Sequence, residues 1–226
     1  MTAAEWTAVM LSLRVASVGA LASLPFAVAV AYLLARGHFP GRTALDILVH
    51  LPLVLPPVVT GWLLLIAFGR HGPLGEFFER AFGLVFAFRW TGAALAAAVM
   101  GFPLTVRAIR LSLEAVDRRL EDAAATLGAG RLRIFLTVTL PLALPGVLAG
   151  LILGFAKAIG EFGATITFVA NIPGETQTLA TAIYNTTQDP DAAGATWRLT
   201  GVAIAIAVVA LSLSEALAKR LGSRLR

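Results

Sequence analysis

Lys157 and Glu161 stand four residues apart in a long apolar stretch, so on a helix they share one face. An ionisable side chain deep in a bilayer costs about 2.5–3.5 kcal/mol on insertion scales unless it is paired or solvated. Two roles fit this spacing. Either Lys157 offers positive charge to a passing anion, or the two charges neutralise each other and hold helices in register. Thr165, Thr167 and Asn171 follow at near-helical spacing; such residues either line an aqueous path or hydrogen-bond to backbone and across helix contacts. The absence of cysteine excludes disulfides, zinc–thiolate sites and iron–sulfur clusters. His38, His50 and His71 are isolated and suggest no metal or cofactor. No Gly-x-x-x-x-Gly-Lys-Ser/Thr loop occurs, so nucleotide hydrolysis is not expected of this chain, nor is any other enzymatic activity. A stand-alone ion-coupled carrier would be expected to hold several intramembrane acids, and only Glu161 qualifies.

The elements that position these residues are membrane helices. Of 226 residues, 58% are hydrophobic and 14% charged, with a mean hydropathy of +0.83, whereas soluble domains carry about 25% charged residues. This composition predicts an all-α polytopic membrane protein of one domain, residues 1–226. A span needs about 20 apolar residues, and five are predicted, at about 9–35, 47–68, 90–106, 140–169 and 199–217. A sixth, made by splitting 134–172, needs a tighter turn than the sequence signals. Placing the C-terminus in the cytoplasm puts twelve of the eighteen Lys/Arg residues inside, including Lys219, Arg220, Arg224 and Arg226. The positive-inside rule therefore predicts an external N-terminus. It also accounts for the net charge of +5 without nucleic acid. The first thirteen residues carry one charge, Glu5, and predict no cleavable signal peptide.

Two external segments are long: 69–89, with an amphipathic stretch Glu76–Phe88, and the polar 171–198. Leu51-Pro52-Leu53-Val54-Leu55-Pro56-Pro57-Val58 has an echo in Leu140-Pro141-Leu142-Ala143-Leu144-Pro145-Gly146-Val147. Both place prolines four apart, either as hinges or as two helix starts of similar composition.

The segment 114–133, between the third and fourth spans, predicts a helix up to about Leu127, a turn at Gly128 and Gly130, and a return helix. Ala123 and Ala124 are small enough to let another surface approach closely. By itself the pattern fits a solvated hairpin equally well.

This segment resembles the EAA motif of binding-protein-dependent ABC transporter permeases. Asp122-Ala123-Ala124, Gly128, Val138 and Leu140-Pro141 keep that motif's spacing, with Asp122 beside Glu121 in place of the usual glutamate and Val138 in place of isoleucine. The stretch from Ala158 to Leu179, through Gly160-Glu161-Phe162-Gly163, resembles molybdate permease subunits, as do Leu55–Gly61 and Gly72–Gly75. Sulfate/thiosulfate and tungstate permeases are near neighbours. The resemblance implies a type I ABC importer fold in the inner membrane, working as a homodimer. It implies two cytoplasmic ATP-binding cassette subunits docked on Glu121, Asp122, Ala123, Ala124 and Gly128. An external molybdate-binding protein would deliver the oxyanion. Lys157, Glu161, Thr165 and Asn171 are the candidate path residues.

Overall fold

A computed structural model describes the backbone of residues 1–222 and side chains up to residue 216. The basic tail that entered the orientation argument, Lys219, Arg220, Arg224 and Arg226, lies outside the described side chains. Among the described residues every regular element is helical. Helix α1 (Ala3–Arg36) is followed by α2 (Arg42–Val54), α3 (Pro57–Phe68), α4 (Pro73–Phe82), α5 (Trp90–Ala115), α6 (Arg118–Thr126), α7 (Arg131–Ile134), α8 (Leu140–Ile159), α9 (Gly163–Val169), α10 (Leu179–Thr187) and α11 (Ala193–Gly222). Among the described residues four helical stretches are long and apolar enough to cross a membrane, and the α2–α3 pair makes a fifth if counted as one bent span.

The centre is a bundle of α1, α5 and α8, with α11 against α8 and α9 against α3 and α5. Small residues bring these helices close: Ala93, Ala94, Ala96, Ala97 and Gly101 of α5 are buried in a row. In lipid the water-driven hydrophobic effect does not hold helices together, so close backbone packing and interhelical hydrogen bonds carry the association. Thr105 supplies one such bond, donating from Oγ1 to the Gly150 carbonyl at 3.1 Å.

Helix boundaries differ from the hydropathy reading most at four places. The span expected at 47–68 is broken, with α2 and α3 meeting at 115°. Pro56 and Pro57 lack the N–H groups needed to carry one helix into the next. The third helix does not stop at 106. It runs to Ala115, because the charges that end the apolar run still suit a helix and Arg110 pairs with Glu114 one turn on. The fourth span, expected at 140–169, stops at Ile159 and resumes as α9 after a break at 160–162. Its lower end begins earlier, at Arg131, through a π-helical turn at Phe135–Thr139. A regular α-helix would drive the Pro141 ring into the Thr137 carbonyl, and the wider π turn relieves that clash. Pro145 sits inside α8 without breaking it, so the two proline echoes are structurally unlike. Finally, the 171–198 segment is largely ordered as α10, a 3₁₀ turn at Pro190–Ala192 and the start of α11.

The bundle has two distinct ends. At one, Glu5 near the start of α1 accepts from Arg198 of α11 at 2.6 Å, and Ser12 Oγ accepts from the Leu179 N–H of α10. At the other, Arg36 at the end of α1 meets Glu121 of α6, and Asp46 of α2 meets Arg110 of α5 at 3.1 Å.

Candidate functional site

Helix α6 is built as a projecting platform. Asp117 caps its N-terminus, accepting from the Arg119 N–H at 2.9 Å. Its C-terminus closes on Gly128, whose φ of +83° is a left-handed conformation that only glycine adopts freely. No α6 residue is buried. Asp122 and Ala123 are exposed and Ala124 is half-buried. Leu120 at 48% and Leu127 at 88% exposure flank Ala123 at helical spacing. The helix therefore presents an unpartnered face with a small residue at its centre and leucines at its edges.

Of the five residues expected to meet the ATPase, Glu121 has a different setting from the rest. Its Oε1 accepts from Arg36 Nη2 at 3.1 Å and from Thr139 Oγ1 at 2.8 Å. The same Arg36 nitrogen donates to the Val116 carbonyl at 2.9 Å. Glu121 thus fastens the platform to the end of α1 and to the π turn ahead of α8. Sequence reasoning missed Arg36 and Thr139. Arg36 reads as an ordinary basic residue at the edge of a span, and Thr139 carries no signal until the π turn buries it.

The second candidate region forms where the two broken spans meet. A Cβ on Gly163 would stand 2.7 Å from Pro57 Cβ, and one on Gly61 would stand 2.5 Å from the Ala164 carbonyl oxygen. Glycine at both positions lets α3 and α9 touch backbone to backbone beside their breaks. Lys157 Nζ donates to Glu161 Oε2 at 2.8 Å, and Glu161 Oε1 accepts from the Ala164 N–H at 3.0 Å. The pair was placed on one helix face from its spacing. It is formed instead across the end of α8, with Glu161 in the break. Glu161 is 2% exposed, whereas the Lys157 side chain is 30% exposed. The arrangement holds a buried carboxylate with both oxygens used beside a lysine side chain that stays partly accessible. Gly154, one turn below Lys157, packs on Gly101, which lies about 16 Å along α5 from Trp90. The pair therefore sits well inside the bundle.

Thr165 is buried, and the Thr167 hydroxyl donates to the Gly163 carbonyl at 2.8 Å. Asn171 follows Ala170, which holds φ +62° and ψ −161°, a conformation costing a non-glycine residue about 1–3 kcal/mol. Buried Thr176 braces the turn, accepting from the Ile172 N–H at 2.9 Å and donating to the Ala170 carbonyl at 3.3 Å. Asn171 Oδ1 and Thr60 Oγ1 are buried without hydrogen-bond partners. Thr60 of α3 was not singled out from sequence, because a threonine in an apolar run carries no mark of lost partners. Among the described residues no three His, Asp or Glu side chains gather as a metal site.

The family model described as binding-protein-dependent transport system inner membrane component matches residues 23–223. The chain is 57% identical over 219 residues to the molybdenum transport system permease protein ModB of Escherichia coli (strain K12), across 97% of this chain and 96% of that protein. It is 36% identical over 199 residues to the sulfate transport system permease protein CysT of Salmonella typhimurium, across 88% of this chain and 71% of the other. The fold matches a bacterial ABC transporter involved in the import of the acidic polysaccharide alginate with a TM-score of 0.70, at 17% identity over 96% of this chain and 80% of that one. It matches an inward-facing MetNI methionine ABC transporter with a TM-score of 0.64, at 15% identity over 94% of each chain. The all-helical fold of an ABC importer permease and the motif resemblance across residues 122–141 and 158–179 thus agree, and the chain belongs to the binding-protein-dependent transport system inner membrane component family.

Proposed function

We propose that the chain is the membrane-spanning subunit of a molybdate importer, moving the oxyanion inward with energy from ATP hydrolysed on a partner subunit. The observation that carries this reading is 57% identity to a molybdenum permease over nearly the whole of both chains. The lower identity to a sulfate permease favours molybdate over sulfate. Tungstate, a close chemical relative, remains the alternative cargo.

In this reading α6 docks on the ATPase through Asp122, Ala123 and Ala124, with Gly128 setting the turn and Glu121 fixing the platform from behind. The end that holds Arg36, Asp46 and Arg110 is cytoplasmic, and the N-terminus with α10 is external, where a binding protein delivers the anion. Two copies of the chain enclose the path. The α2–α3 pair supports that arrangement, since it buries only Val49, Thr60, Gly61 and Leu64 within one copy. Lys157, held by Glu161 and still partly accessible, provides positive charge beside the path, with Thr165 and Asn171 on the segment leading outward.

The test is molybdate accumulation in cells lacking their own molybdate permease but expressing this chain with its ATPase and binding protein. Uptake that persists in excess sulfate and falls with excess tungstate supports the reading. Sulfate suppressing uptake as strongly as unlabelled molybdate would assign the chain to sulfate instead.

A further inference from the structure

A groove of about 900 Å³ runs along the second half of α1 toward the π turn, bounded by Val28, Leu33 and Phe135 along its length and by Arg36, His38 and Arg131 at one mouth. No carboxylate lines it. Tyr32, which also lines it, meets Phe135 edge-on at 4.8 Å. The groove reaches from Arg36 down to Pro25, eleven residues or about 16 Å of helix. One leaflet of a bilayer's hydrocarbon core is about 15 Å deep. Arg36 lines the mouth while its Nη2 donates to Glu121 and to the Val116 carbonyl, and His38 and Arg131 add basic side chains with no hydrogen-bond partner among the described contacts.

We propose that this groove is a binding site for an anionic phospholipid, its acyl chain along α1 and its headgroup phosphate between Arg36, His38 and Arg131. A soluble anion would use the mouth but leave the apolar length empty. A zwitterionic lipid would fill the length but gain less from the basic mouth. Because Arg36 also holds Glu121, the lipid shares a guanidinium with the α6 platform, and the charge of the inner leaflet thereby acts on the element that meets the ATPase. The site rests on reading the α6 end as cytoplasmic. It does not depend on which anion is carried, so a chain that retained lipid yet imported no molybdate would separate the two readings.

The full-length chain is delipidated in detergent and given equal amounts of phosphatidylglycerol and phosphatidylcholine with identical acyl chains, and retained lipid is read by native mass spectrometry. Phosphatidylglycerol should be retained preferentially, and R131Q should lower that retention about fivefold, the effect of one basic charge near a lipid surface. H38Q with R131Q should lower it further. Both positions are exposed, so neither change threatens the fold. A phosphatidylglycerol with a photoreactive acyl tail should cross-link between residues 25 and 33, in the chain alone and in the complex with its ATPase. Equal retention of the two lipids, retention unchanged in the variants, or displacement by millimolar inorganic phosphate would overturn the proposal. So would loss of the cross-link when the ATPase is added, since a protein surface would then cover the groove.

Discussion

Glu161 spends one carboxylate oxygen on Lys157 and the other on the first turn of α9, so its two bonds are separable by mutation. Glu161→Gln keeps an acceptor for the Ala164 N–H and loses the ion pair, whereas Glu161→Ala loses both; either change leaves Lys157 without a counter-charge. The alanine variant should be the less stable, by about 1–3 kcal/mol relative to glutamine, read as the midpoint of thermal unfolding in detergent. Exchanging the two charges should restore more assembled protein than either reversal alone. It should still fall short of the parent, because lysine at 161 cannot accept from Ala164. Additive effects of the two reversals would contradict the pairing. A second double-variant test applies to Arg36 and Glu121, whose side chains are 11% and 19% exposed. Removing either alone should cost about 1–3 kcal/mol. Replacing both with methionine should cost less than the sum, since no charge is left stranded. Strict additivity would show that the bridge does not hold α6.

At the scale of elements, α6 gives the sharpest expectation. Nothing lies within 4 Å of a Cβ built on Gly128, and its φ is +83°, so Gly128→Val acts on the backbone alone within this chain. It should cost about 1–2 kcal/mol and distort the turn between α6 and α7. Ala123→Trp leaves the turn intact and fills the centre of the exposed face. Both variants should insert in the membrane at parental levels and lose co-purification with the ATPase, Ala123→Trp most completely. Normal complex formation by Ala123→Trp would remove α6 from the interface. This platform was legible from sequence because its determinants are local: a capping Asp117, a helix-favouring run and a glycine at the turn. The long bundle helices were legible for a similar reason, each carrying a sustained apolar run. The break at 160–162 was not, because Gly160, Phe162 and Gly163 leave the apolar run uninterrupted. Its cause is tertiary, lying in the seat of Gly163 on Pro57 and of Glu161 against Lys157. Glu121 is assigned to the docking face from its place in the motif; its bond to Arg36 spans 85 residues, a separation that no spacing rule reaches.

For the whole molecule, the two ends of the bundle are joined by continuous helices, and the α8 stretch links them most directly. It starts at Arg131 beside the platform, passes the π turn held through Thr139, and ends at Ile159, just past Lys157 and beside the paired breaks. A shift of α6 on its partner therefore has a covalent and hydrogen-bonded route to the broken spans, where α3 and α9 touch. In the proposed reading, that layout couples transport to the partner subunit. The direct measurement is molybdate uptake into liposomes holding the purified chain, with and without its ATPase, binding protein and ATP. Uptake that requires all three partners, and no uptake or ATP hydrolysis by the chain alone, is the predicted result. Robust anion uptake by the chain alone under a proton or sodium gradient would contradict it.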